Sequence, residues 1–454
     1  MQSKWWILLA IGIGSFLSTL STSIVNAVLP VIGQEFQADL MTIQWVITIF
    51  LLVISGLLLG FGRLGDLHGH RRVYLSGLFL FALGSALCAL APTVPVLIAF
   101  RALQAIGAAM LFSNGPAILT RSFPPEERGK ALGMQATLTY LGLMTGPPLG
   151  GWLAAHHGWP SIFLIPLPVS LLAFLICLLK LPRTDRGETL PFDWLGAGWF
   201  FIGLTTLLLG LNQGNAWGWN SAPILALFLG TALTGFAFLR VETKSPHPLL
   251  DFSLFRSRVL SRTMLAAMFN YVCTYALLFL LPFYLMRGLK LDPAHSGWVL
   301  MVQPLVMAIV APISGALSDR IPPRWLATVG MLILALGMGL LSRLGQQSTP
   351  ADVVLALAVA GFGTGMFTTP NNNALMGAAP RGSQGVAAGI LATARNVGMA
   401  LGVGVAGAIF SSFAPLSLYV ALDRSFLVMI AVASSGALAS FFAREKAPAI
   451  ETSP

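Results

Sequence analysis

Charge is what this sequence has least of. Only 9% of its 454 residues are Asp, Glu, Lys or Arg, against 56% hydrophobic. Soluble domains carry about 25% charged residues, so a water-soluble fold is excluded. Cysteine is nearly absent too. Cys88, Cys177 and Cys273 each lie inside an apolar run, which excludes a disulfide framework and reads as small core side chains. The sixteen acids all fall in loops, tails or helix ends, and none of the six histidines lies at mid-membrane depth. Paired buried carboxylates, a metal cluster, a GxxxxGK[ST] phosphate loop and a nucleophile elbow are all missing. Enzymatic chemistry is therefore not expected, and neither a metal nor a cofactor is.

What remains is a string of apolar segments. Fourteen candidate spans lie near 5–29, 42–61, 73–91, 94–119, 131–155, 161–180, 194–212, 221–240, 262–286, 296–316, 325–343, 352–370, 385–411 and 423–443. The segment after Lys4 is too long for a cleavable signal and reads as an uncleaved first span. Net charge is +10, but Lys and Arg sit in short loops rather than along one basic face, so a nucleic-acid partner is not expected. With both termini cytoplasmic, the inner loops and tails hold 20 of the 26 Lys and Arg and the outer loops hold 4. That asymmetry orients the chain in a cytoplasmic (inner) membrane. Trp5 and Trp6 mark the inner edge, and Trp152, Trp159, Trp217 and Trp219 the outer one, as interfacial anchors.

The chain repeats itself. Gly62-Arg63-Leu64-Gly65-Asp66 and Gly315-Ala316-Leu317-Ser318-Asp319 share Gly-x-Leu-x-Asp, 253 residues apart, each followed by basic residues on the inner side. Parallel repeats with a binding site between them are a common transporter plan. The expected organisation is a six-helix bundle over 1–190, an inserted helix pair over 191–245 and a second six-helix bundle over 246–454. Gly62, Asp66, Gly69, Arg71, Arg72 and Asp319 form the candidate cytoplasmic gate, where glycine allows close helix approach and a carboxylate meets a positive neighbour or helix N-terminus.

These residues resemble the major facilitator superfamily, specifically its fourteen-helix drug:proton antiporter branch. Gly62 to Arg72 is similar to the loop 2–3 signature of that family, and Gly315 to Arg324 to its degenerate partner. Arg101 to Gly107 resembles the fourth-helix motif, with Ala105 where glycine is usual. The run with Gly142, Gly146, Pro147, Gly150 and Gly151 resembles the fifth-helix antiporter motif, and Ser21 to Pro30 the first-helix signature. The resemblance implies an all-α polytopic fold, export of small amphiphilic molecules or drugs, and proton antiport by a monomer in the lipid bilayer. At Ser21 the sequence departs from the branch, which usually has an Asp there for coupling.

Two ionisable residues remain inside spans, and both are basic. Arg395 lies about 10 residues into its span, roughly 15 Å deep at 1.5 Å per residue, near the midplane. It is the leading candidate for substrate contact, with bonding to backbone carbonyls or the Asn371–Asn373 cluster as the structural alternative. Arg101 is a candidate for coupling or for helix packing. Asn26, Asn114, Tyr271, Tyr275 and Gln303 complete the candidate cavity. Glycines 142, 146 and 150 share one helical face and predict a packing and bending role. Three tasks are open at this point: multidrug exporter, dedicated exporter of an anionic metabolite held by Arg395, or membrane sensor without turnover.

Overall fold

A computed structural model describes residues 2–181, 193–245, 257–318, 320–378 and 384–443. Among these the regular structure is helical, as a lipid environment demands, because helices satisfy their own backbone groups. In chain order the helices are α1 (Gln2–Glu35), α2 (Leu40–Ile43), α3 (Trp45–His68), α4 (His70–Ala89), α5 (Val94–Ser122), α6 (Pro125–His157), α7 (Ser161–Leu164) and α8 (Pro166–Lys180). The middle pair is α9 (Trp194–Trp217) and α10 (Ala222–Lys244). Then follow α11 (Arg258–Phe283), a π-helical turn (Tyr284–Gly288), α12 (Pro293–Leu300), α13 (Val302–Leu317), α14 (Pro323–Ser342), α15 (Pro350–Ala378), α16 (Gln384–Phe413) and α17 (Leu418–Phe441). The domain boundaries expected near 190 and 245 fall at segments outside the described residues.

Twelve of the described helical segments are long and apolar enough to cross a membrane. Two others fall short for different reasons. The α6 helix is 33 residues long but carries charges, glycines, Pro147 and Pro148. The apolar part of α9 is confined to Leu195–Leu211.

Local chemistry explains the helix ends. Asp193, Ser257, Asp292 and Ser417 cap α9, α11, α12 and α17 by accepting from the backbone N–H three residues on. The eleven-residue loop expected at Gly62 to Arg72 is instead a one-residue corner. Helix α3 runs through Asp66 to His68, and α4 starts at His70. Gly69 alone turns the chain, at φ +93°, a conformation that only glycine adopts without strain.

Glycines set the packing, and they do so twice. Backbone meets backbone where Gly77 faces Gly107 and Gly84 faces Gln104, joining α4 to α5. The same contacts recur where Gly330 faces Gly363 and Gly337 faces Ala360, joining α14 to α15. Gly142 of α6 rests on the Phe16 carbonyl of α1, and Gly398 of α16 rests on the Met268 carbonyl of α11. A Cβ at any of these glycines would stand 3.0 Å or less from neighbouring backbone. The repeat thus extends from one loop motif to four packed pairs of helices.

The halves meet at one end. Gly151 of α6 lies against the Pro293 carbonyl of α12, Gly297 of α12 against the Pro147 carbonyl, and Gly407 of α16 against Gln44 before α3. These three contacts lie at the end opposite the chain termini. Lys4 ties the start of α1 to Glu127 in α6 at 2.5 Å, and Arg262 at the start of α11 bonds the Phe442 carbonyl after α17. The inserted pair is docked through α9, where Phe201 packs on Gly56 of α3 and Leu208 on Gly404 of α16. Its partner α10 leaves Leu225, Leu229, Leu233 and Phe236 exposed, as a lipid-facing helix does. Trp159 departs from the expected interfacial role: it is 7% exposed and packs between Phe36 and Phe163. Trp5, Trp6, Trp152, Trp217 and Trp219 are exposed.

Candidate substrate site

Arg101 on α5 is fully enclosed within the first half. Its Nε donates to the Val46 carbonyl of α3 at 3.1 Å, and Nη1 donates to Ser21 Oγ of α1 at 2.9 Å and to Gln104 Oε1 at 2.6 Å. The guanidinium carbon stands 4.0 Å from the centre of the Phe50 ring. One side chain therefore pins three helices together, and a ring face offsets part of the cost of burying its charge. The Ser21 hydroxyl occupies the place of a counter-charge and supplies only an acceptor.

Arg395 on α16 has the opposite setting. Gly398, one turn later, lets α11 approach so closely that Tyr271 lies beside it. The Arg395 guanidinium stands 5.7 Å from the Tyr271 ring centre, with Tyr275 and Tyr140 in its neighbourhood. Tyr140 belongs to α6, so the cluster spans both halves. Arg395, Tyr271 and Tyr140 are each partly accessible while Tyr275 is buried. Arg395 Nε has no hydrogen-bond partner among the described residues.

The other expected cavity residues disperse. Asn26 is buried in α1, donates to the Thr22 carbonyl at 2.9 Å and keeps Oδ1 unbonded among the described residues. Gln303 in α13 is buried with Nε2 unbonded among the described residues, and Gly361 of α15 packs on its backbone. Asn114 leaves the expected set altogether. Its amide fills the hollow over Gly65, where Oδ1 lies 2.7 Å from His70 Nδ1 and Nδ2 donates to the Phe61 carbonyl at 3.0 Å. It clasps α5 to the α3–α4 corner rather than facing the midplane. The asparagine cluster does not hold Arg395 either, since Asn371 bonds the Thr263 carbonyl and Asn373 bonds Ser318.

The gate residues are placed in part. Gly62 faces Ser113 of α5, as Gly315 faces Thr369 of α15. Arg71 donates to the Leu178 carbonyl near the end of α8 at 2.8 Å, within its own half, and Arg72 is exposed. The side chain of Asp66, and Asp319 entirely, lie outside the described residues. In α6, Gly142, Gly146 and Gly150 face α1, while Gly151 and the Pro147 carbonyl face α12 of the other half. Helix α6 thus joins its own half along one face and the opposite half along another.

Sequence reasoning missed Tyr140, His70 and the Gln44–Gly407 contact. Tyr140 lies two residues before Gly142 of the fifth-helix motif, and that proximity was the available signal. A separate recess of about 550 Å³ opens beside the α14–α15 turn, lined by Arg343, Gly345, Ser348 and Asp352. Its lining residues all belong to the second half.

Among known proteins, the family model described as Major Facilitator Superfamily matches residues 11–403 and 263–454. The riboflavin transporter RibZ of Clostridioides difficile is 36% identical over 92% of this chain and 90% of its own length. The multidrug resistance protein Stp of Mycobacterium tuberculosis is 31% identical over 92% and 78%. The tetracenomycin C resistance and export protein of Streptomyces glaucescens is 32% identical over 90% and 76%. A POT family transporter crystallised with a thioalcohol-conjugated peptide aligns at a TM-score of 0.72, covering 94% of both chains at 16% identity. A bacterial homologue of the lysosomal transporter Spinster, inward-facing and unoccupied, aligns at 0.69 over 97% of both chains, also at 16% identity. The chain is a multi-pass membrane protein and belongs to the Major Facilitator Superfamily, a family of transporters of small molecules.

Proposed function

We propose that this protein exports small amphiphilic organic molecules across the cytoplasmic membrane by alternating access. The reading counts α6 and α9 as crossing segments, which makes fourteen spans with both termini cytoplasmic. The observation that carries it is the Arg395 cluster, assembled from α6 of one half and α11 and α16 of the other. A site shared between two rocking bodies is exposed to one side or the other as they move. The glycine contacts of α6 with α12, and of Gln44 with Gly407, join the halves at the outer end, so the conformation is read as inward-facing. Small residues there let the seam close backbone to backbone and part without unthreading side chains.

Proton antiport is the coupling expected for this branch. Ser21 at the first-helix position means that the proton does not ride on an α1 carboxylate beside Arg101. The test is efflux from proteoliposomes of a panel of cationic, neutral and anionic fluorescent compounds, with and without a pH gradient. Gradient-dependent efflux supports the reading, and no flux of any compound in either condition leaves a membrane sensor as the better account.

A second reading, export of a metabolite rather than of drugs, is favoured by the basic side chain in the cluster and by the similarity to RibZ. Riboflavin added to the same panel separates the two: saturable riboflavin flux without flux of the cationic dyes selects the metabolite exporter.

A further inference from the structure

The Arg395 cluster also limits what its ligand is, an inference that rests on the transport reading above. Three properties matter. The site carries a permanent positive charge, because a guanidinium keeps its proton under all ordinary conditions. The ring of Tyr271 lies 5.7 Å from that charge, with Tyr140 and Tyr275 nearby, and a protonated phenol supplies no opposite charge. Among the described residues the Arg395 Nε–H lacks a hydrogen-bond acceptor, which is costly for a buried donor and is corrected by a ligand that accepts. The walls around it are aromatic, from three tyrosines on two helices.

We propose that the ligand is a planar aromatic compound that presents an acceptor edge, such as a carboxylate or enolate, and carries no fixed positive charge. The acceptor edge meets the Arg395 guanidinium, and the ring lies among Tyr271, Tyr275 and Tyr140. Arginine suits this task better than lysine, because its planar donors match a two-oxygen acceptor. Tyr140 has a distinct part in it. It is the neighbour of Arg395 that belongs to the first half, so a ligand between Tyr140 and Arg395 touches both moving bodies. That makes Tyr140 a specificity-determining residue whose hydroxyl reports on approach of the halves. A cationic amphiphile is disfavoured throughout, because no carboxylate among the described residues faces the cluster to offset Arg395.

The experiment uses purified full-length protein in nanodiscs and equilibrium binding of four probes. These are anthracene-9-carboxylate (a flat anion), 9-anthracenemethanol (flat, neutral), 9-aminoacridine (a flat cation) and decanoate (an anion without a ring). The expected order places the flat anion at least about tenfold tighter than the flat cation, from charge alone at contact distances in a protein interior. Stacking places it tighter than decanoate. R395K retains the order with weaker binding. R395M abolishes the preference for anion over cation while leaving the melting temperature close to wild type. Y140F weakens the flat anion and leaves decanoate unchanged.

Equal or tighter binding of 9-aminoacridine, or an anion preference that survives in R395M, overturns the proposal. Flux of the same probes in proteoliposomes separates the two levels. Binding in the expected order without flux removes the transport reading, whereas flux of every probe at the same rate removes only the ligand class.

Discussion

The two halves of this transporter share a backbone plan and differ in where they keep their polar chemistry. Arg101 in the first half corresponds in the repeat to Leu357 in the second, Gln104 to Ala360, and Ser21 to Cys273. The second half therefore fills with apolar side chains the very place where the first buries a guanidinium network. Arg395 reverses the relation. Its counterpart in the first half is Thr139, and the counterparts of Tyr271 and Tyr275 are Thr19 and Ser23. There the hydroxyls are spent on neighbouring carbonyls: Thr19 donates to Thr139 at 3.0 Å and Ser23 to Gly142 at 3.2 Å. One half thus uses its buried arginine to hold helices together. The other sets its arginine beside the Tyr271 ring, with one donor unpaired among the described residues. Glycine contacts are the shared part, and the two arginines are the part in which the halves differ.

The largest expected effect strikes the shared part. Gly107→Leu and Gly363→Leu each drive a side chain into backbone that already lies within 2.7 Å of the ideal Cβ. Overpacking of this kind costs about 1–3 kcal/mol or more. Both variants are expected to lose most of the monodisperse protein on size-exclusion chromatography, and to equal extents. Gly198 and Gly235 have nothing within 4 Å among the described residues, so leucine there is expected to be silent and serves as the control.

Next come the exchanges of each arginine for its counterpart. Arg101→Leu removes the donor to Gln104 Oε1, Ser21 Oγ and the Val46 carbonyl, leaving Ser21 Oγ within 3.5 Å of Gln104 Oε1. A lost partner costs about 1–3 kcal/mol for each buried group left unpaired. The melting temperature is expected to fall by several degrees while ligand affinity in the surviving folded protein stays within about twofold. Arg395→Thr is expected to do the converse, with substrate affinity reduced about tenfold or more and a melting temperature near wild type.

The smallest effect concerns the seam between the halves. Asp292 caps α12 immediately before Pro293, which touches Gly151 of the other half. Its carboxyl is held below the usual carboxylate range, first by the His295 backbone N–H and then by the His295 side chain. The cap's contribution is therefore complete above the ordinary carboxylate pKa and is lost as pH falls below it. Asp292→Ala is expected to lower stability by about 1 kcal/mol at neutral pH, as cap removals do, and to flatten the acid side of the melting profile.

Much of this architecture is legible in the sequence, and the limits have a physical cause. Segment positions and the internal repeat emerge because lipid leaves only apolar helices as solutions. Helix rotation does not emerge in the same way. Helices α5, α6 and α15 have little amphipathic character, so no face is marked as inner by pattern alone. Rotation is set instead by which glycine meets which backbone, a property of pairs of segments. For that reason Arg395 stands out as a charge in an apolar run, while Tyr140 does not. Asn114 illustrates the same limit. As a polar residue at membrane depth it reads like Asn26, and only the hollow over Gly65 directs it to His70. The extended loop expected at the α3–α4 corner fails because Gly69 alone completes the reversal.

The most direct test of the account is the paired exchange, measured by flux. Arg101→Leu and Arg395→Thr are reconstituted into proteoliposomes at equal amounts of folded protein, and saturable efflux of anthracene-9-carboxylate is followed for each. The account predicts near wild-type flux per folded molecule for Arg101→Leu and at least about a tenfold loss for Arg395→Thr. Flux retained in Arg395→Thr, or lost equally in both, would contradict the division of labour between the two halves.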